Sequence, residues 1–169
     1  LIARPSNASK GVYHDGFKNA LVKDGLQIIR DPYTIRYEGL KLFGDLAGKK
    51  LFSAQKEDTN IVVEIKSFLS LSLMNEFQCA LGGCILYPTL LRQLHPNYCL
   101  YLAIEQEAYE TFFQMKGIKL VIEEYKILII VVNIFQKEIF QWINSIIIVQ
   151  LSKKYGSSVL FMENPVQNH

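Results

Sequence analysis

Cysteine is scarce, with three in 169 residues. Cys79, Cys84 and Cys99 form an odd set with no Cys-x-x-Cys pair, which argues against a disulfide framework or a zinc site. Reduced, mostly buried thiols of a cytoplasmic protein are the expectation. Long apolar runs are missing too. The most apolar stretch, "ILIIVVNIF" at 127–135, falls far short of the roughly 20 residues that span a bilayer. The later "SIIIV" is cut off from it by "QKE", so no membrane partner is expected. The opening "LIARPSNASK" has none of the apolar core of a secretion signal, and the sequon Asn7-Ala8-Ser9 is expected to carry no glycan. Charge of either sign is barely in excess: 18 Lys and Arg against 16 Asp and Glu, a net +2. That balance demands neither nucleic acid nor membrane, although a local basic patch is compatible with it. No Ser-His-Asp arrangement stands out, and there is no Gly-rich phosphate loop. Gly82-Gly83 falls inside a helical pattern without Walker or Rossmann context.

What is present is a globular composition, 50% hydrophobic and 20% charged, in a chain long enough for one domain with a sizeable core. "YHDGFKNALVKDG" sets Tyr13, Phe17, Ala20 and Leu21 at helical spacing and stops at Gly25. "LQIIR" reads as a strand closed by Asp31-Pro32. "LKLFGDLA", "KLFSAQ" and "NIVVEIK" are short strands with turn-like separators, which suggests an antiparallel meander. "SLMNEFQCALGGCILYPTLLRQL" is helical, weakened at Gly82-Gly83 and expected to kink or end at Pro88. "YCLYLAI" follows as a strand, "QEAYETFFQM" as a helix and "ILIIVVNIF" as a buried strand. "EIFQWI" pairs with that strand across a turn at Gln136-Lys137. The order predicts an α/β fold with a mixed central sheet and flanking helices. No internal repeat is present.

The chemistry concentrates in "NIVVEIKSF". Strand side chains alternate faces, so Ile61, Val63 and Ile65 form a core face while Val62, Glu64 and Lys66 share the other. Charges on such a surface require a reason. If "LKLFGD" belongs to the same meander, Asp45 sits beside Glu64 and Lys66. Two carboxylates and a lysine on one sheet face match what Mg²⁺ takes, namely one or two carboxylates, waters and substrate phosphate oxygens. The metal would neutralise phosphate charge and acidify a bound water, and the lysine would orient the attacking water or stabilise developing charge. The ordinary meaning of Glu-x-Lys on a strand is an exposed cross-strand ion pair.

Five blocks in order, "VYHDGFKNALVKDG", "RYEGLKLFGDLAG", "IVVEIKSFLS", "QCALGGCILY" and "LYLAIEQEAYETFF", resemble the XisH family, the fdxN element excision controlling factors. The resemblance covers residues 11–144 as one domain. Residues 1–10 are a flank, and 145–169 form a C-terminal extension with no assigned role. The resemblance implies a restriction-endonuclease-like core of the PD-(D/E)xK type. In that pattern Asp45 and Glu64 hold Mg²⁺, with Mn²⁺ as the alternative ion, and Lys66 is the catalytic lysine. It also implies a role in programmed excision of a DNA element, with a separate site-specific recombinase and a small XisI-type companion protein. DNA and a second copy of the chain are further candidate partners.

The chain departs from the family pattern at Gln55, where an acid is usual, and at Gly83-Cys84, where Gln-Tyr is usual. Gln78 and Tyr87 remain on the helix as candidate substrate contacts. Two functions stay open. One is a Mg²⁺-dependent endonuclease acting through Asp45, Glu64 and Lys66. The other is a non-catalytic factor that uses the same fold to bind an XisI-type partner or DNA. His14 and Asp15 are expected at the start of the first helix, where an acid suits the helix dipole; the sharper alternative has this helix add a third acid to the metal site. His95, before Pro96, is expected to face solvent. Lys18, Lys23, Arg30, Arg36, Lys49 and Lys50 make the N-terminal part basic, either as phosphate contacts or as a solvated face. Tyr109, Phe112, Phe113 and Trp142 have core-like spacing.

Overall fold

The computed structural model describes residues 7–42, 51–56 and 59–144. Helix α1, Asn7–Lys23, leads through Gly25 (φ 92°) into strand β1, Gln27–Arg30. A positive φ of this kind is what glycine supplies at a helix end. Strands β2, Ile35–Tyr37, and β3, Leu40–Leu42, follow. Then come β4, Leu51–Lys56, β5, Thr59–Lys66, and helix α2, Leu73–Leu94. The chain continues as β6, Tyr98–Glu105, the short helix α3, Gln106–Glu110, and a 3-10 turn, Phe112–Gln114. Helix α4, Lys116–Tyr125, and the strands β7, Leu128–Asn133, and β8, Glu138–Ile143, complete the described part.

Six strands form one mixed sheet in the order β1-β4-β5-β6-β7-β8. β1-β4 and β4-β5 are antiparallel, β5-β6 and β6-β7 are parallel, and β8 returns antiparallel along β7. The two parallel pairs require crossovers; α2 makes the first, and α3 with α4 the second. The expected α/β architecture with a mixed sheet and flanking helices is therefore present. The meander differs in membership. β3 is not beside β4 and β5 but pairs with β2 in a separate two-stranded hairpin. Its two-residue loop, Glu38-Gly39, has positive φ at both positions (39° and 85°), the twist-compatible turn of tight hairpins.

Helix α2 runs on through Pro88, so the proline does not end it. Tertiary packing explains this. Tyr87, Leu90 and Leu91 on either side of the proline are buried against Tyr33, Ile35, Val62 and Leu100. That burial offsets the one backbone bond a proline forfeits. The helix starts at Ser72, whose hydroxyl accepts the Asn75 amide at 3.3 Å, an N-cap.

The sheet is covered on both faces. Phe17, Ala20 and Leu21 of α1 pack on Ile61, Val63, Ile65, Ala103, Ile130 and Val132. On the opposite face Phe77 and Ala80 of α2, with Phe112, Phe113 and Ile118, cover Leu102, Ile104, Ile129 and Val131. The alternation in β5 is thus as the sequence implied: odd positions face α1, even positions face α2. No described helix is long and apolar enough to cross a membrane.

Candidate functional site

β5 carries Glu64 and Lys66 to its C-terminal end, in parallel register with Leu102 and Ile104 of β6. Both side chains point to the α2 face. Val62 belongs to the apolar cluster with Tyr87, Leu91 and Leu100, whereas Leu102 and Ile104 belong to the cluster with Phe77, Phe112 and Phe113. Glu64 stands in the seam between the two, and its side chain is 0% exposed. Lys66 Nζ lies 3.7 Å from Glu64 Oε1, an ion-pair distance too long for a hydrogen bond. The Lys66 side chain is 13% exposed. The pair therefore has one buried partner and one partner within reach of water.

Two aromatic features fix this end of β5. Phe68, two residues past Lys66, is buried and has φ 52°, a left-handed conformation unfavourable for a bulky residue. Its ring stacks edge-on against Phe113 at 5.0 Å and lies 6.1 Å from Phe112. Phe77 from α2 adds edge contacts to both, at 5.8 Å each. The chain turns off the strand where this cluster grips it, and Lys66 is held at the edge.

Helix α2 supplies the wall opposite Glu64. Gly83 faces the carboxylate so closely that a Cβ there would fall inside the contact radius of Glu64 Oε2. It would also lie 3.1 Å from Glu64 Cδ and 3.0 Å from Tyr87 Cε2. Tyr87 is buried, and its phenol is pushed up by burial first and by the Glu64 and Cys84 charges second. Of the two helix residues expected to contact substrate, Tyr87 thus adjoins Glu64. Gln78 is exposed on α2, about 180° around the helix from Tyr87 at 3.6 residues per turn. Gln55 pairs with Asn60 at the far end of the β4-β5 ladder from Glu64, which pairs with Leu51. Asp45, the second expected metal ligand, lies outside the described residues. Among those described, no three His, Cys, Asp or Glu side chains form a metal-binding group.

His14 and Asp15 do not sit at a helix start. α1 begins at Asn7, so both fall beyond the first turn, where the dipole effect fades. α1 covers the face of the sheet opposite Glu64, so neither adds an acid there. Instead buried His14 places Nε2 3.1 Å from Asp31 Oδ2, and Lys18 donates to the same oxygen at 2.6 Å. Burial alone would raise the Asp31 pKa, but the hydrogen bonds from Lys18 and His14 outweigh it and hold the carboxyl below its ordinary value. His95 is exposed, as expected, with its ring 4.9 Å from Tyr98.

Sequence reasoning passed over Glu105, the last residue of β6, which is 7% exposed. Burial, and then the Glu107 charge, push its carboxyl pKa up from 4.5. A raised carboxylate binds its proton more tightly folded than unfolded, so folding stability falls as pH rises from about 4.5 through the folded value. Glu105→Gln is therefore expected to raise stability at neutral pH and flatten that slope. Urea denaturation between pH 4 and 7 would read it, and an unchanged slope would count against a buried, destabilising charge.

Residues 7–140 match the family model described as XisH protein. Two crystal structures at 1.60 Å resolution are similar to the chain. One is an XisH family protein from Nostoc punctiforme PCC 73102; the other is a fdxN element excision controlling factor protein from Anabaena variabilis. Each is 42% identical, with a TM-score of 0.73, covering 79% of this chain and 99% of its own. No curated protein matches the chain.

Proposed function

The chain belongs to the XisH family, and from that premise we propose that it serves programmed DNA element excision as a divalent-metal-dependent endonuclease with a PD-(D/E)xK core. The observation that supports this is the pairing of a fully buried Glu64 with Lys66 at the end of a parallel strand. A carboxylate taken out of water forfeits several kcal/mol of solvation, which a surface ion pair worth at most about 1 kcal/mol has no reason to incur. Perturbing burial of this kind clusters at functional sites.

The donor chemistry fits a hard cation. Glu64 offers carboxylate oxygens, and Asp45 is the second carboxylate this reading requires. Mg²⁺ or Mn²⁺, when bound, would neutralise the scissile phosphate and lower the pKa of a coordinated water. Lys66 remains near the surface with its ammonium beside Glu64, where it can orient an attacking water or stabilise charge developing on the phosphate. Tyr87 and the apolar clusters on both sides of Glu64 keep bulk water from its carboxylate. An XisI-type companion and a recombinase would supply the choice of DNA site. Incubation with DNA and Mg²⁺ or Mn²⁺ is expected to give cutting that a chelator stops and re-added metal restores.

A second reading is favoured by the same burial. The Glu64 side chain is fully buried in this structure, as befits a non-catalytic factor that binds DNA or an XisI-type protein. Folded protein that never cuts at saturating Mn²⁺, but forms a stable complex with such a partner, would establish it.

A further inference from the structure

We infer that Gly83 sets the resting position of the Glu64 carboxylate, by leaving open a buried niche that competes with a divalent cation for it. The inference rests on the metal-site reading above. Its geometry is the close approach of Glu64 to the helix. The carboxylate occupies the volume that a Cβ at residue 83 would fill, bounded by the ring of Tyr87. Gly82, one residue earlier, has nothing within 4 Å of its Cβ position, so the close approach is specific to residue 83. Glycine within a helix is less favourable than alanine, and here that loss is matched by room for a side chain from the sheet.

The niche has a consequence for metal binding. Mg²⁺ retains several waters and dehydrates reluctantly. A carboxylate with 0% exposure, pressed against a helix, cannot join such an ion without leaving its seat. The ion therefore binds at the expense of the niche contacts. Any side chain at residue 83 removes the niche and presents Glu64 outside it in advance.

The test pairs Gly83→Ala with Glu64→Ala. With Glu64 present, Gly83→Ala is expected to lower Tm, because the Cβ and the carboxylate contend for one volume. In the Glu64→Ala background the conflict is gone and Tyr87 gains room. The same change is then expected to raise Tm by about 2–4 °C through helix propensity. Mn²⁺ titration, followed by the EPR signal of the free ion, is expected to show binding to Gly83→Ala on the order of tenfold tighter than to wild type. That gain should vanish in Gly83→Ala/Glu64→Gln. The same Tm effect in both backgrounds would overturn the niche. A reversed Tm effect with equal Mn²⁺ affinity would overturn the competition while leaving the metal site standing. No Mn²⁺ binding in any variant, with the Tm reversal intact, would sink the metal-site reading and the competition with it.

Discussion

Glu64→Ala is expected to reduce metal-dependent cleavage by at least roughly 10²–10³-fold, the range for losing one preorganised charge-stabilising group, in a protein that still folds. The substitution removes a carboxylate from the seam between two apolar clusters. Its former partner, Lys66, already reaches water and can extend its stem outward. Lys66→Ala is expected to cut the rate by a similar factor but to destabilise the protein more. It takes the ammonium away from a carboxylate that stays buried, and breaking a buried pair from that side is destabilising. This ordering of stabilities, Glu64→Ala above Lys66→Ala, separates a buried functional pair from a surface one, where both changes would be near neutral. Thermal melts of the two variants read the ordering, and cleavage rates read the chemistry. If Glu64→Ala cut DNA as fast as wild type, the site would lie elsewhere.

The largest effect on stability is expected from Phe113→Ala, at about 3–5 kcal/mol. Phe113 is 1% exposed and makes edge contacts to Phe68, Phe77 and Phe112. Its removal opens a cavity where three elements meet: the exit from β5, helix α2 and the 3-10 turn. Such a loss is a large share of the roughly 5–15 kcal/mol that keeps a domain folded. It should also loosen the left-handed turn at Phe68, so Lys66 loses its fixed position. Urea denaturation would give the stability change. A loss below about 1 kcal/mol would mean that the cluster repacks, and that it does not anchor the site.

The parts of the fold that the sequence displayed are those governed by short-range periodicity. The two-residue alternation of β5 placed Glu64 and Lys66 on one face and Ile61, Val63 and Ile65 on the other, and the register bears this out. The β7-β8 hairpin was legible because an apolar run, a short turn and a second strand follow one another directly. Helix α4 was missed, although Ile118, Ile122 and Tyr125 have helical spacing, because Gly117 and the flanking charges obscured the pattern. The β2-β3 hairpin was missed because Glu-Gly is a weak form of the Asn-Gly or Asp-Gly signal. "LKLFGDLA" therefore read as part of the meander.

The site was legible only in its pair. A glycine in a helical pattern reads locally as a weak point in the helix. Only the tertiary approach of Glu64 makes Gly83 a seat for a carboxylate. The pairing of His14 with Asp31 spans 17 residues and leaves no local trace. For the same reason the length of α1, and with it the mid-helix position of His14 and Asp15, was not apparent from a polar lead-in.

The most direct measurement is the single-turnover cleavage rate of a DNA substrate at saturating Mn²⁺ for wild type and Lys66→Ala, each first shown to be folded by circular dichroism. Metal-dependent cutting by wild type, slowed by roughly 10²-fold or more in the variant, is the predicted result. Equal rates from two folded proteins, or no cutting by either, would contradict a catalytic site built on Glu64 and Lys66.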